Sequence, residues 1–132
     1  MKSYHSPEIS DGVYWVGARD WNRRLFDALI PLPQGTTYNA YLVQGREKTA
    51  LIDTVNPGFE RELEERIGQL VDPKALDYLI MNHAEPDHAG AVPYIMALSE
   101  GAKLVTTKKG AQMAEVYYGV PEERTIVVKE GD

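Results

Sequence analysis

Apolar and polar positions change period repeatedly along this chain, and each change marks an element. "VYWVG" (13–17) reads as a strand closed by Gly17. "ARDWNRRLFDALIPLPQG" (18–35) keeps no period and runs into Pro31, Pro33 and Gly35, so an irregular segment with at most one helical turn is expected. "TYNAYLVQ" (37–44) is rich in β-formers, "GREK" is a turn, and "TALID" (49–53) is the return strand of a hairpin. Asn56 reads as a helix cap with Pro57 at the first helical position. Phe59, Leu63, Ile67, Leu70 and Val71 then form one apolar stripe, with the charged residues between them facing water. "DYLIM" (77–81) is a short apolar run of buried-strand type. "AVPYIMALSEG" (91–101) reads as a helix with Val92, Ile95, Met96 and Leu98 inward and Gly101 as its stop. "KLVTT" is a strand, "KKGAQMAEVYYG" a helix and "TIVVKEGD" a final strand. The order β-β-β-α-β-α-β-α-β predicts an α/β domain with a mixed sheet covered by helices.

Bulk properties narrow the function. The 132 residues suit one domain, and 43% hydrophobic with 26% charged residues is ordinary for a globular chain. A formal charge of -6 argues against nucleic acid or an anionic membrane as partner, because no cationic surplus is present to release counterions. The absence of cysteine excludes disulfides, thiolate metal sites and a cysteine nucleophile. "MKSYHSPEISDG" has no apolar core of signal-peptide type, and no apolar run approaches the ~20 residues that span a bilayer. A soluble, cytoplasmic protein is the expectation.

One stretch concentrates chemistry. Between the strand "DYLIM" and the helix at 91, "HAEPDH" places His83, Glu85, Asp87 and His88 within six positions, using two of the chain's three histidines. The carboxyl ends of strands in open α/β sheets are where ligands bind. Gly90 and Ala84, Ala89 and Ala91 keep bulk low around the donors, and Pro86 stiffens the loop. In an extended loop, residues two apart share a side, so His83, Glu85 and Asp87 would point together and His88 would diverge. That divergence suits two ions about 3.5–4 Å apart. His83 and Glu85 read as ligands of one ion, Asp87 and His88 of its neighbour. Two imidazoles with two carboxylates suit iron or manganese, and zinc accepts them too.

"HAEPDHAG" (83–90) resembles the H-x-[EH]-x-D-H-x-G loop of the metallo-β-lactamase superfamily, and Glu85 stands where hydrolytic members usually carry His. With "YWVGARDWNRRLFD", "PQGTTYNAYLV" and "ALIDTV" in order, essentially the whole chain resembles the N-terminal part of flavodiiron proteins. The resemblance implies an αβ/βα sandwich of which residues 1–132 supply the N-terminal half. It implies a non-haem diiron site that reduces O2 to water or NO to N2O, with His83 and Glu85 on the iron nearer the flavin and Asp87 and His88 on the distal iron. Electrons would arrive through FMN in a flavodoxin-like domain, supplied by a rubredoxin-type or NADH-linked donor. Asp53, ending "LID", would support the loop by hydrogen bonds, or it caps a turn. The stretch after "DW" lacks the His that many flavodiiron proteins carry there, so the resemblance carries no preference between O2 and NO.

The family site also needs two further histidines and a bridging carboxylate, and no histidine follows His88. His5 reads as a solvated terminal residue rather than a ligand. The chain is therefore expected to be a fragment that is inactive alone, with an exposed sheet edge and apolar face favouring a homo-oligomer. Two rivals are a metal-dependent hydrolase of the same superfamily and a metal-free interaction fragment.

Overall fold

The computed structural model describes residues 4–132; Met1–Ser3 lie outside the described residues. Eleven short strands alternate with helices in the latter half. The first strands are β1 (Glu8–Ser10), β2 (Val13–Trp15), β3 (Ala18–Asp20), β4 (Leu25–Phe26), β5 (Ile30–Pro31), β6 (Thr36–Tyr38), β7 (Tyr41–Gln44) and β8 (Thr49–Ile52). Then come α1 (Glu60–Gly68), β9 (Tyr78–Ile80), α2 (Pro86–Ala89), α3 (Val92–Leu98), β10 (Lys103–Thr106), α4 (Lys108–Tyr118) and β11 (Thr125–Val127).

Seven strands form one mixed sheet in the order β1-β2-β7-β8-β9-β10-β11. The first half is an antiparallel meander; from β8 onward each pairing is parallel and each crossover carries a helix. Because the strand order advances in one direction, right-handed crossovers put α1, α3 and α4 on the same face. Register shows which residues meet them. Leu42, Leu51, Leu79 and Leu104 lie side by side across β7, β8, β9 and β10. All four are fully buried and share one cluster with Leu63, Ile67, Val92, Ile95 and Ala114 from the helices. Burying a leucine contributes on the order of 1.5–3 kcal/mol, so this row is the main seam of the core. The opposite row, Tyr41, Ile52, Ile80, Val105 and Ile126, is only half-buried to exposed.

Several expectations change. Residues 37–44 are not one strand: the chain breaks at Asn39–Ala40, and β6 leaves the main sheet to pair with β3. The irregular segment contains a small β4–β5 hairpin rather than a helical turn, with Asp27 and Ala28 at positive φ in its bend. Helix α1 starts at Glu60 behind Phe59, not at an Asn56 cap. The charged residues of α1 do not all face water. Arg66 is buried, pairs with Glu62 at 3.1 Å and lies over the Trp15 ring at 4.8 Å. It also reaches the His5 carbonyl, while Ser6 Oγ donates to the Arg66 carbonyl at 2.8 Å. The backbone beside His5 is thus tied to α1, although the His5 side chain is exposed.

Candidate metal centre

The four donors sit at the carboxyl end of β9, flanked by the ends of β8 and β10. The strand end is held first. Met81 N donates to the Val105 carbonyl at 2.9 Å, and Thr106 Oγ1 donates to the Met81 carbonyl at 3.0 Å. The loop is not extended throughout, as the alternation argument assumed. Glu85 is extended, and Pro86 then opens the single helical turn α2, where His88 N and Ala89 N both donate to the Glu85 carbonyl. A proline at the first helical position costs no hydrogen bond, which is why the turn begins there. The helical turn brings the two imidazoles together, with ring centroids 5.2 Å apart. His88 Nε2 lies 3.4 Å from Asp87 Oδ2. Glu85 and His83 are exposed, while Asp87 and His88 are half-buried.

Two residues of the β8 end hold this turn from below. Asp53 is buried at a left-handed φ of 59°, a costly conformation outside glycine. Its Oδ1 accepts from Asn82 N at 2.8 Å and His83 N at 3.1 Å. Burial holds the Asp53 carboxyl above its usual range, and those two N–H groups offset only part of that rise. Thr54, fully buried, donates to the His88 carbonyl from both N (2.7 Å) and Oγ1 (2.9 Å), and Oγ1 accepts from Ala91 N at 3.2 Å. Sequence reasoning missed Thr54; its signal was the position directly after the strand-ending Asp. From above, Tyr118 Oη donates to the Ala84 carbonyl at 2.6 Å. Gly90 lets the turn close, since a Cβ there would fall 2.2 Å from Pro57 Cδ and 2.5 Å from the Pro86 carbonyl oxygen.

His88 tests whether an ion suits this place. Its Nδ1 is buried and has no hydrogen-bond partner. A buried imidazole nitrogen left unmatched costs about 1–3 kcal/mol, so the ring has binding capacity that the protein does not spend. Neighbouring imidazoles with an adjacent carboxylate are donor types that iron accepts. Among the described residues, no three His, Cys, Asp or Glu side chains gather closely enough to enclose a metal ion. The loop therefore fits as part of a donor set, and His5 is not brought to it as a fifth donor.

Beside the loop, a cavity of about 350 Å³ is lined by Met81, His83, Glu85, Val105, Lys109 and Met113, among others. Of the other aromatics, Tyr117 is exposed, and Trp15 is half-buried, donating to Asn39 Oδ1 at 3.0 Å. Arg23 Nε donates to the Leu25 carbonyl of the adjoining hairpin, and Arg24 donates to the Trp21 carbonyl ahead of it.

The sequence profile of the ODP family beta lactamase matches residues 36–132, which takes in every strand of the parallel half and the whole donor loop. The chain belongs to that family. As an ODP family member it is 45% identical over 124 residues to a nitric oxide reductase of Moorella thermoacetica, covering 93% of this chain and 31% of that protein. It is 42% identical over 125 residues to a rubredoxin-oxygen oxidoreductase of Megalodesulfovibrio gigas, again 31% of its length. Among solved structures, it superimposes on the flavodiiron protein from Giardia intestinalis with a TM-score of 0.91 at 31% identity, covering 100% of this chain and 32% of that one. On the rubredoxin oxygen:oxidoreductase from Desulfovibrio gigas the TM-score is 0.89 at 42% identity, covering 96% and 31%. The metallo-β-lactamase-like fold and the similarity to flavodiiron proteins expected from the loop are thereby findings. The chain spans about a third of the length of these relatives. No helix among the described residues is long and apolar enough to cross a membrane.

Proposed function

We propose that this chain is the N-terminal, metal-holding part of a flavodiiron-type oxidoreductase that reduces O2 or NO. The observation carrying the reading is the His83-to-His88 turn. It has Glu85 at the position that hydrolytic relatives fill with His, and its two imidazoles lie close together at a strand end, mutually tilted by 57°. His83 and Glu85 would hold one iron, and Asp87 and His88 the other. Iron bound there would supply one-electron steps to a small diatomic ligand. The protein's own part is positional. Asp53 fixes the peptide ahead of His83, Thr54 fixes the one after His88, and the exposed edge of the turn stays open to ligand. The carboxylates of Glu85 and Asp87 would favour the higher oxidation state by their negative charge.

FMN, in a domain outside these residues, and a rubredoxin-type or NADH-linked donor belong to the same proposal, as do a cytoplasmic location and a homo-oligomer. Support comes from the names of the relatives and from the acidic, cysteine-free composition. The test is iron uptake by the purified chain. His83→Ala combined with His88→Ala is expected to abolish it while leaving the circular dichroism spectrum unchanged. Undiminished uptake in the double variant overturns the site, and zinc uptake with esterase activity would mark a hydrolase instead.

A further inference from the structure

The loop is held by groups that its own sequence neighbourhood does not supply, and one of them comes from a helix 34 residues further along the chain. Helix α4 crosses over from β10 and ends at Gly119, whose φ of 67° lets its N–H turn back to the Ala114 carbonyl. That stop places Tyr118 on the last turn, packed against the core with its ring half-buried. Its hydroxyl then meets the Ala84 carbonyl at 2.6 Å, across 34 residues of sequence. Ala84 is the residue between His83 and Glu85, and its carbonyl belongs to the peptide that leads directly into Glu85. Asp53 already holds the peptide entering His83. The two clamps bracket the pair of donors assigned to one ion.

We infer that Tyr118 is a positioning residue of the metal site, its hydroxyl setting the Ala84–Glu85 peptide plane and with it the direction of the Glu85 carboxylate. The inference rests on the metal reading of the loop. Tyr118 acts through the Ala84 main-chain carbonyl, as a positioning and not a catalytic residue. Its phenol is suited to the task because a tyrosine hydroxyl, with an ordinary pKa of about 10, keeps its donor proton at neutral pH; burial, then the charges of Glu85 and Asp87, push the pKa further up. Groups that orient metal ligands typically change affinity 10–100-fold when removed.

The test is cobalt(II) titration of the chain, followed by the visible ligand-field bands, beside the melting temperature of the metal-free protein. Tyr118→Phe removes one oxygen and keeps the ring. It is expected to weaken cobalt binding about 10-fold and to shift the bands, with little change in metal-free melting. Gln112→Gly, at an exposed position of α4 away from its cap, lowers helix stability without touching the hydroxyl or the Ala114 carbonyl, and is expected to keep the wild-type affinity and spectrum. Wild-type cobalt affinity in Tyr118→Phe overturns the inference alone, and so does an equal loss in Gln112→Gly, which would reveal mere helix stability. Absence of cobalt binding by the wild type, or binding that survives His83→Ala with His88→Ala, overturns the metal reading and this inference together.

Discussion

Tyr38 shows how much a single side chain can couple here. It is fully enclosed, its ring packs on Phe59 at 5.3 Å, and its hydroxyl donates to Asp20 Oδ2 at 2.7 Å. Burial, then that carboxylate, pushes its pKa up to about 12 from an ordinary 10.0. The folded state thus holds the phenolic proton more tightly than the unfolded chain. The stability this contributes is fully present below the unfolded value and is lost as pH rises from about 10 to about 12. Urea unfolding across that window should show wild-type stability falling more steeply than that of Tyr38→Phe; parallel curves would reject the coupling. At this scale the sequence was informative about chemistry and poor about partners. His83, Glu85, Asp87 and His88 announce themselves by type and spacing. Thr54 and Tyr118 are ordinary residue types whose roles exist only through bonds to His88 and Ala84, across 34 residues in each case.

At the scale of elements, periodicity located the hairpin β7–β8, strands β9 and β10 and helices α3 and α4, because each buries one face and so keeps one period. It failed where no single face is buried. The β6–β7 break leaves two β-rich runs adjacent, and only their pairing with β3 and β2 separates them. Arg66 lies on the apolar side of α1, which charge alone would place in water, because Glu62 and the Trp15 ring receive it there. The α2 turn is the element on which the site depends, and its tight seat makes it sensitive. Gly90→Ala puts a methyl carbon within 2.6 Å of two Pro57 ring carbons and the Pro86 carbonyl oxygen. Its backbone is ordinary right-handed helix, so the cost is contact rather than conformation. Such overpacking typically costs about 1–3 kcal/mol. A matching drop in chemical-denaturation stability is expected; a variant as stable as wild type would mean that Pro57 yields freely.

Over the described residues the sheet is half-covered. Three helices close one face over the leucine row, and the other face keeps Tyr41, Ile52, Ile80, Val105 and Ile126 half-buried to exposed, with β11 at the sheet edge. Apolar surface of this kind, beside an unpaired edge, promotes association. The chain is expected to self-associate in sedimentation velocity runs, and Ile126→Lys, on that row at the edge, is expected to shift it towards monomer. Unchanged sedimentation in Ile126→Lys would place the contact elsewhere.

Composition, periodicity and the run H-A-E-P-D-H determined the α/β class, the family likeness and the donor types, because each is a local property of neighbouring residues. Tertiary structure decided the rest: that the loop becomes a helical turn with neighbouring imidazoles, that Asp53 takes the loop-supporting one of its two readings, that Thr54 and Tyr118 join it, and that a charged Arg66 is interior. Those outcomes depend on which distant groups satisfy a carbonyl, an N–H or a buried charge, and that is settled only when sheet register brings them together.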